Sequence, residues 1–355
     1  MRNTLGVAVA ALLSTAVLAG CGAADSSEAP STGEGLSTDI EYSGSLEEFP
    51  TSYPEPEDED LTIGWLIPNG AVESLSSLGE AVEIATEQRG GTVVTLDAGA
   101  QPDQQVTQMQ QLIDRKVDAI IVWPLDAQAL GPVVKRANDA EIPVVAVEAN
   151  SDLTTQDLGG YTTQIALGTD YMGFMMAREM AKQEPGGKVV VAGFVVPVPF
   201  ISSLTEAQTK WAKEFGLDVV ETVQNQTDDV AGGSEAVAGA TAQHPDLDGV
   251  LGYSDATAIG GALAARESGL QVTAIGSNGA SDAFEAIESG RLHATMQWPL
   301  ATWADQLTAA AYTAVQNPDE ELPPTTFPGR MELVTADNID EHATFDEQLE
   351  AMRNR

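Results

Sequence analysis

Few residues in this 355-residue chain are spaced for covalent chemistry. His244, His293 and His342 stand far apart, without a His-Glu-x-x-His or paired-cysteine spacing, so the pattern argues against a zinc site. There is no G-x-S-x-G elbow and no G-x-x-x-x-G-K-S/T phosphate loop. Gly159-Gly160 and Gly232-Gly233 read as turn or helix-start glycines. Carboxylates are so abundant that a chance pair of them carries no information. The residues that could do chemistry are of another kind. Hydrogen-bonding and aromatic side chains follow short apolar runs: Asn69 and Glu73, Trp123, Glu148 and Asn150, Phe200, Tyr253 with Ser254 and Asp255, Asn278, and Gln297 with Trp298. A polyol needs such a mixture, with amides and carboxylates to engage hydroxyls and flat rings against its C–H faces. The chemistry implied is binding, not catalysis, with no metal and no cofactor. Plain alternatives stand beside it. Asp126 and Asp255 suit helix caps, Trp123 and Trp298 suit packing between lobes, and Trp65 suits a core strand.

The elements that must position these residues alternate. Short Val/Ile/Ala runs at Leu61–Ile67, Thr92–Leu96, Ala119–Val122, Val144–Val147, Lys188–Ala192, Val219–Val223, Gly249–Leu251, Val272–Ile275 and Ala294–Met296 read as buried parallel strands. Helical patterns fall between them, at about 73–88, 103–115, 126–139, 169–183, 202–215, 229–243, 255–268, 281–289 and 300–316. Asp126, Ser202 and Ser281 suit helix starts, and Gly90, Gly216, Gly269 and Gly290 suit helix ends. About four βα units precede an irregular stretch at 148–168 and about four follow it, so the fold class is α/β with two doubly wound parallel-sheet lobes. Ligands of open parallel sheets bind beyond the carboxyl ends of the strands, and two lobes facing each other make a cleft from those loops.

The first 60 residues set location. Arg2, the apolar run Leu5 to Val17 and the small pair Ala19-Gly20 form a secretory signal, too short at about 22 Å of helix to span a bilayer core of roughly 30 Å. Leu18-Ala19-Gly20-Cys21 carries the only cysteine of the chain and resembles the lipobox of bacterial lipoproteins, which implies lipid attachment at Cys21. Residues 22–60 are Ser-, Glu-, Gly- and Pro-rich without Lys or Arg, and read as a disordered acidic tether. The net charge of −38 opposes nucleic acid and anionic membrane surfaces, so the membrane is met through the lipid alone.

A family resemblance joins these readings. Asp118-Ala-Ile-Ile-Val-Trp-Pro-Leu-Asp126, Ala137-Asn-Asp-Ala-Glu-Ile-Pro-Val-Val145, Gly252-Tyr-Ser-Asp255, Ala274-Ile-Gly-Ser-Asn-Gly279 and Gly290-Arg-Leu-His-Ala-Thr-Met-Gln297 resemble the type I solute-binding proteins of ABC transporters, nearest to the ribose and galactose binders. The likeness spans roughly residues 61 to 335. It implies Glu148 where such proteins commonly have an aspartate, Ser254 at a usual asparagine, Asn278 at a usual aspartate and Gln297 at a usual glutamine near a hinge strand. It also implies three crossover strands, near 168–169, 297–299 and 326. The organisation that follows is a signal at 1–21, a tether at 22–60, an N-terminal lobe of 61–168 plus 299–325, a C-terminal lobe of 169–298 plus 326–340, and a tail at 341–355.

Departures from the pattern narrow the ligand. Asn69 to Glu73 contains no aromatic residue, Ala149 stands where an arginine often follows the carboxylate, and Ser202–Lys210 has no arginine. Without guanidinium groups an anionic ligand is disfavoured; a neutral polyol or a cationic ligand suits Glu73, Glu148 and Asp255. The expectation is an extracytoplasmic, lipid-anchored monomer that captures a sugar or polyol by hinge closure and hands it to an ABC permease. The alternatives are a sensor for a receptor kinase and a binder of a nucleoside or cationic solute.

Overall fold

Continuous Val, Ile and Ala runs form inner strands here because helices cover both faces of each sheet. The structure, a computed structural model, describes residues 38, 40–44, 53, 56–57, 59–149, 159–326 and 331–355. Cys21, most of the 22–60 segment and Asn150 lie outside the described residues. The first sheet holds β1 (Thr62–Ile67), β2 (Thr92–Asp97), β3 (Ala119–Val122), β4 (Val144–Val147), β5 (Thr163–Ala166) and β11 (Thr325–Thr326), in the order β11-β5-β4-β3-β1-β2. The second holds β6 (Lys188–Phe194), β7 (Asp218–Asn225), β8 (Gly249–Gly252), β9 (Thr273–Asn278), β10 (Ala294–Gln297) and β12 (Glu332–Thr335), in the order β12-β10-β9-β8-β6-β7. All pairs are parallel except β12, which runs antiparallel to β10 at the edge. The two doubly wound lobes expected from the sequence are therefore present.

Helices α1 (Glu73–Glu87) and α9 (Leu300–Gln316) cover one face of the first sheet, while α2 (Pro102–Arg115) and α3 (Ala127–Asp139) cover the other around Leu66, Met109, Leu112 and Ile120. In the second lobe α4 (Thr169–Gln183) and α5 (Pro199–Glu214) lie on one face. Its other face carries α6 (Val230–Gln243), α7 (Asp255–Glu267) and α8 (Ser281–Glu288). Gly233 has a packing role: a Cβ there would lie 2.7 Å from the Thr257 carbonyl oxygen of α7, so the glycine sets how closely α6 and α7 approach. Asp126 caps α3 by accepting from the Gln128 and Ala129 amides, and Gly90, Gly216, Gly269 and Gly290 all follow helices with positive φ. The chain passes between lobes from β5 to α4, from β10 to α9, and from β11 to β12.

Four local expectations are corrected. Ser202 lies inside α5, which starts at Pro199 because proline suits the first turn. The stretch read as irregular contains β5, whose Thr163 and Gln164 are fully buried. The 341–355 tail holds α10 (Phe345–Arg353), started by a Thr344/Glu347 capping box and packed on α1 and α9 through buried Phe345, Leu349 and Met352. The chain thus returns to the first lobe after β12. The acidic tether is docked at its described points. The Tyr42 ring packs 5.1 Å from Phe174 and 5.9 Å from Trp211, and its hydroxyl donates to Asp170. Tyr53 is buried and donates to the Pro323 carbonyl at 2.7 Å. Aromatic burial of this size outweighs the low apolar content of the surrounding segment.

Candidate functional site

The strand ends of both sheets meet at an aromatic knot. Trp123 follows β3, Trp298 follows β10, Phe200 opens α5 and Trp303 lies on α9. Trp123 contacts the other three rings at centroid distances of 5.5 Å to Phe200, 5.4 Å to Trp298 and 5.3 Å to Trp303. Such tilted and edge-on pairs are each worth about 0.5–1.5 kcal/mol beyond area burial. Trp123 and Trp298 therefore serve the packing role and also wall a cavity. That cavity encloses about 50 Å³ between the lobes, room for a few waters.

Seven of the anticipated residues line it: Asn69, Trp123, Phe200, Tyr253, Ser254, Asn278 and Trp298. Asn69, in the turn after β1, donates to Asp228 of the other lobe at 3.2 Å. Tyr253, after β8, donates its hydroxyl to the second oxygen of Asp228 at 2.5 Å. Ser254 also caps α7, accepting from the Thr257 amide at 3.3 Å. The indole N–H groups of Trp123 and Trp298 and the hydroxyl of Ser74 are buried without a hydrogen-bond partner among the described residues. Buried polar groups of this kind are ordinarily satisfied, so three groups at the cavity wall await one.

Four expected site residues engage partners within the protein, two of them for the same physical reason. Glu148 follows β4 at φ 50, is 2% exposed, and accepts from the Leu167 amide in the first lobe crossing. Burial pushes its carboxyl up to about 7, against the lowering effect of the Leu167 and Gly168 amides. Asp255 is 1% exposed and accepts from the Gly279 amide at 2.9 Å and the Ala280 amide at 3.3 Å. Burial pushes it up to about 8. Both carboxyl groups thus accept from buried loop amides, which need partners once taken from water. Gln297 donates to the Ala343 carbonyl at 2.7 Å, tying β10 to the lead-in of α10. Glu73 stands at the cleft rim and accepts from the Ser281 amide at 3.2 Å and hydroxyl at 2.5 Å, a second link between lobes. Asn150 is outside the described residues.

One functional residue escaped sequence reasoning. Asp228 lines the cavity, and burial raises its pKa against the lowering effect of the Tyr253 and Asn69 hydrogen bonds. It sits at φ 59, a left-handed conformation that aspartate tolerates at some cost. Asn225 holds it there: the amide oxygen accepts from the Thr227 and Asp228 amides, each at 3.0 Å. The amide nitrogen donates to the Asp229 carbonyl at 3.0 Å and to Thr257 Oγ1 at 2.9 Å. The available signal was the run Asn225-x-x-Asp228-Asp229, in which Asn225 makes the turn and Asp229 caps α6, leaving Asp228 with no local task. Among the described residues no group of three or more His, Cys, Asp or Glu is placed to hold a metal.

Comparison with known proteins agrees with this geometry. Residues 63–319 match the family described as periplasmic binding protein domain. The ribose import binding protein RbsB of Bacillus subtilis is 28% identical over 241 residues, covering 67% of this chain and 76% of the relative. A xylitol-binding protein of Mycolicibacterium smegmatis is 27% identical over 266 residues, 69% of each chain. Among solved structures, an ABC transporter solute-binding protein of Burkholderia graminis in complex with D-arabinose aligns with a TM-score of 0.72 at 21% identity, covering 81% of this chain and 99% of the other.

Proposed function

The chain belongs to the periplasmic binding protein family, of type I architecture, and from that premise we propose that it captures a sugar or polyol outside the cytoplasm for delivery to an ABC permease. The observation that carries this reading is the cavity at the strand ends, walled by both lobes and bridged by Asn69 to Asp228 and Glu73 to Ser281. A ligand in it touches both lobes at once. Contacts made only in the closed form shift the population toward that form, which is the signal a membrane partner can read. Ligand hydroxyls would accept from the Trp123 and Trp298 indoles and from Ser74, with C–H faces against the rings. Among the described residues no Lys, Arg or His lines the cavity, which supports a ligand without a net negative charge. The ligand leaves unaltered, since binding and release are sufficient for delivery.

The membrane attachment belongs to the same proposal. Cys21, behind the apolar run ending in Leu18-Ala19-Gly20, takes a diacylglyceryl group and holds the binder beside its transporter. Tyr42 and Tyr53 of the 22–60 segment dock on the body.

A thermal-shift screen of the full chain against sugars, polyols, nucleosides and sugar acids tests the function. A ligand at 100 times its dissociation constant adds about 2.7 kcal/mol of stability, and the sugars and polyols are expected to contain one that does. Stabilisation by sugar acids alone would sink the reading.

A further inference from the structure

We propose that the ligand is a sugar or polyol bearing a protonated amino group, whose ammonium pairs with Asp228. The inference rests on the sugar-capture reading and sharpens it. Among the described residues Asp228 is the one carboxylate on the cavity wall, and no Lys, Arg or His among them shares that wall with it. Its two present partners, Tyr253 and Asn69, are both neutral donors, one to each oxygen. An ionised carboxylate has about four acceptor sites, so two remain open. A charge taken from water needs a countercharge as well as hydrogen bonds, and this cavity supplies the second without the first. Nearby acidic groups do not relieve the need. Asp229 is engaged with the Gly232 amide at 2.7 Å and Thr227 Oγ1 at 2.8 Å, and it adds negative charge.

The surroundings fit an ammonium in two further ways. The Tyr253 ring, whose own hydroxyl meets Asp228, stacks on Phe194 at 5.8 Å between centroids. Both rings line the cavity, and aromatic faces attract cations, the more so when water is excluded. The loop is also built around this one carboxylate. Three hydrogen bonds of the Asn225 side chain hold the 227–229 backbone, a fourth ties it to Thr257 Oγ1, and together they keep Asp228 at positive φ. Unfavourable backbone held in place by buried polar groups is a mark of a position fixed for recognition. The unpartnered donors at Trp123, Trp298 and Ser74 call for acceptor hydroxyls, so the polyol character of the ligand stays while one hydroxyl is replaced by an amine.

Calorimetric titration of the full chain with matched pairs tests this: D-glucosamine against D-glucose, D-galactosamine against D-galactose, and glucamine against sorbitol. The amine of at least one pair is expected to bind ten times more tightly than its hydroxyl twin or better, and acetylation of that amine to remove the gain. In Asp228→Asn the amine-to-hydroxyl affinity ratio should fall toward one. Equal or tighter binding of the neutral member in every pair overturns the inference and leaves sugar capture standing, as does a ratio unchanged by D228N. Absence of binding by both members of all pairs, with no hit among sugars and polyols in the thermal screen, removes the capture reading and this inference together.

Discussion

Removing Glu73 should loosen closure by a calculable amount. Its carboxylate, on the first residue of α1, accepts two hydrogen bonds from Ser281 across the cleft. Net hydrogen bonds are worth about 0.5–1.5 kcal/mol and those to charged groups more, but this pair is at the surface, where solvent screening reduces it. A second effect opposes the link. The Asp282 carboxyl is raised first by burial and then by the charge of Glu73, so the two acids repel and closure forfeits part of the gain. The balance is about 1.4 kcal/mol, a tenfold shift from closed toward open. Apparent affinity scales with the competent population, so Glu73→Ala should bind the solute about tenfold more weakly if the free chain is mostly open. If the free chain is mostly closed, affinity changes less and the free protein expands in small-angle scattering instead. Ser281→Ala should move in the same direction by less, because its amide remains, and the double variant should resemble Glu73→Ala because the two residues act on one contact. Affinity and free-state scattering both unchanged within twofold in Glu73→Ala would refute the idea that this contact belongs to closure.

Three further outcomes follow from individual residues. Asp255 titrates at about 8 in the fold against about 3.9 when unfolded, so the stability from its retained proton is complete below pH 4 and is lost as pH rises through 8. At about 1.4 kcal/mol per pKa unit, up to roughly 6 kcal/mol is at stake. Urea unfolding of Asp255→Asn should be distinctly flatter than wild type between pH 5 and 8, and parallel curves would contradict this. Tyr53→Phe, which deletes a buried hydroxyl bonded to Pro323 and Thr163, should lower unfolding free energy by about 1–2 kcal/mol; a change within 0.3 kcal/mol, by about the precision of such data, would mean the strap is not docked in solution. Cys21→Ser should move the protein from the detergent to the aqueous phase in a detergent partition of intact cells, whereas unchanged partition would exclude lipid attachment at that residue.

The alternation of apolar runs and helical patterns made the fold readable, because parallel strands covered on both faces leave little else to write. Trp65 and the runs of β3 and β4 are fully buried, and the closing glycines take the positive φ their positions required. β5 was hidden because Thr163 and Gln164 bury polar side chains whose partners are distant in sequence, such as the Tyr53 hydroxyl on Thr163. The capping box at Thr344 and Glu347 was legible and could have announced α10. In the same way Tyr42 and Tyr53 were rings in an acidic segment with reason to dock. At the site, the aromatic residues at strand ends could be picked out because size and position both mark them. The carboxylates could not be sorted that way. Glu148 and Asp255 answer amides 19 and 24 residues away, a demand visible only in three dimensions, and Asp228 stands out only once its neighbours Asn225 and Asp229 are seen to hold the turn and the cap.

The most direct test is a crystal structure of the full folded body with the sugar-class compound that stabilises it most. Ligand density is expected in the interlobe cavity, touching Asn69 or Trp123 on one lobe and Tyr253, Asp228 or Trp298 on the other side of the cleft. Density confined to one lobe, or seated in another pocket while this cavity holds only water, would contradict it.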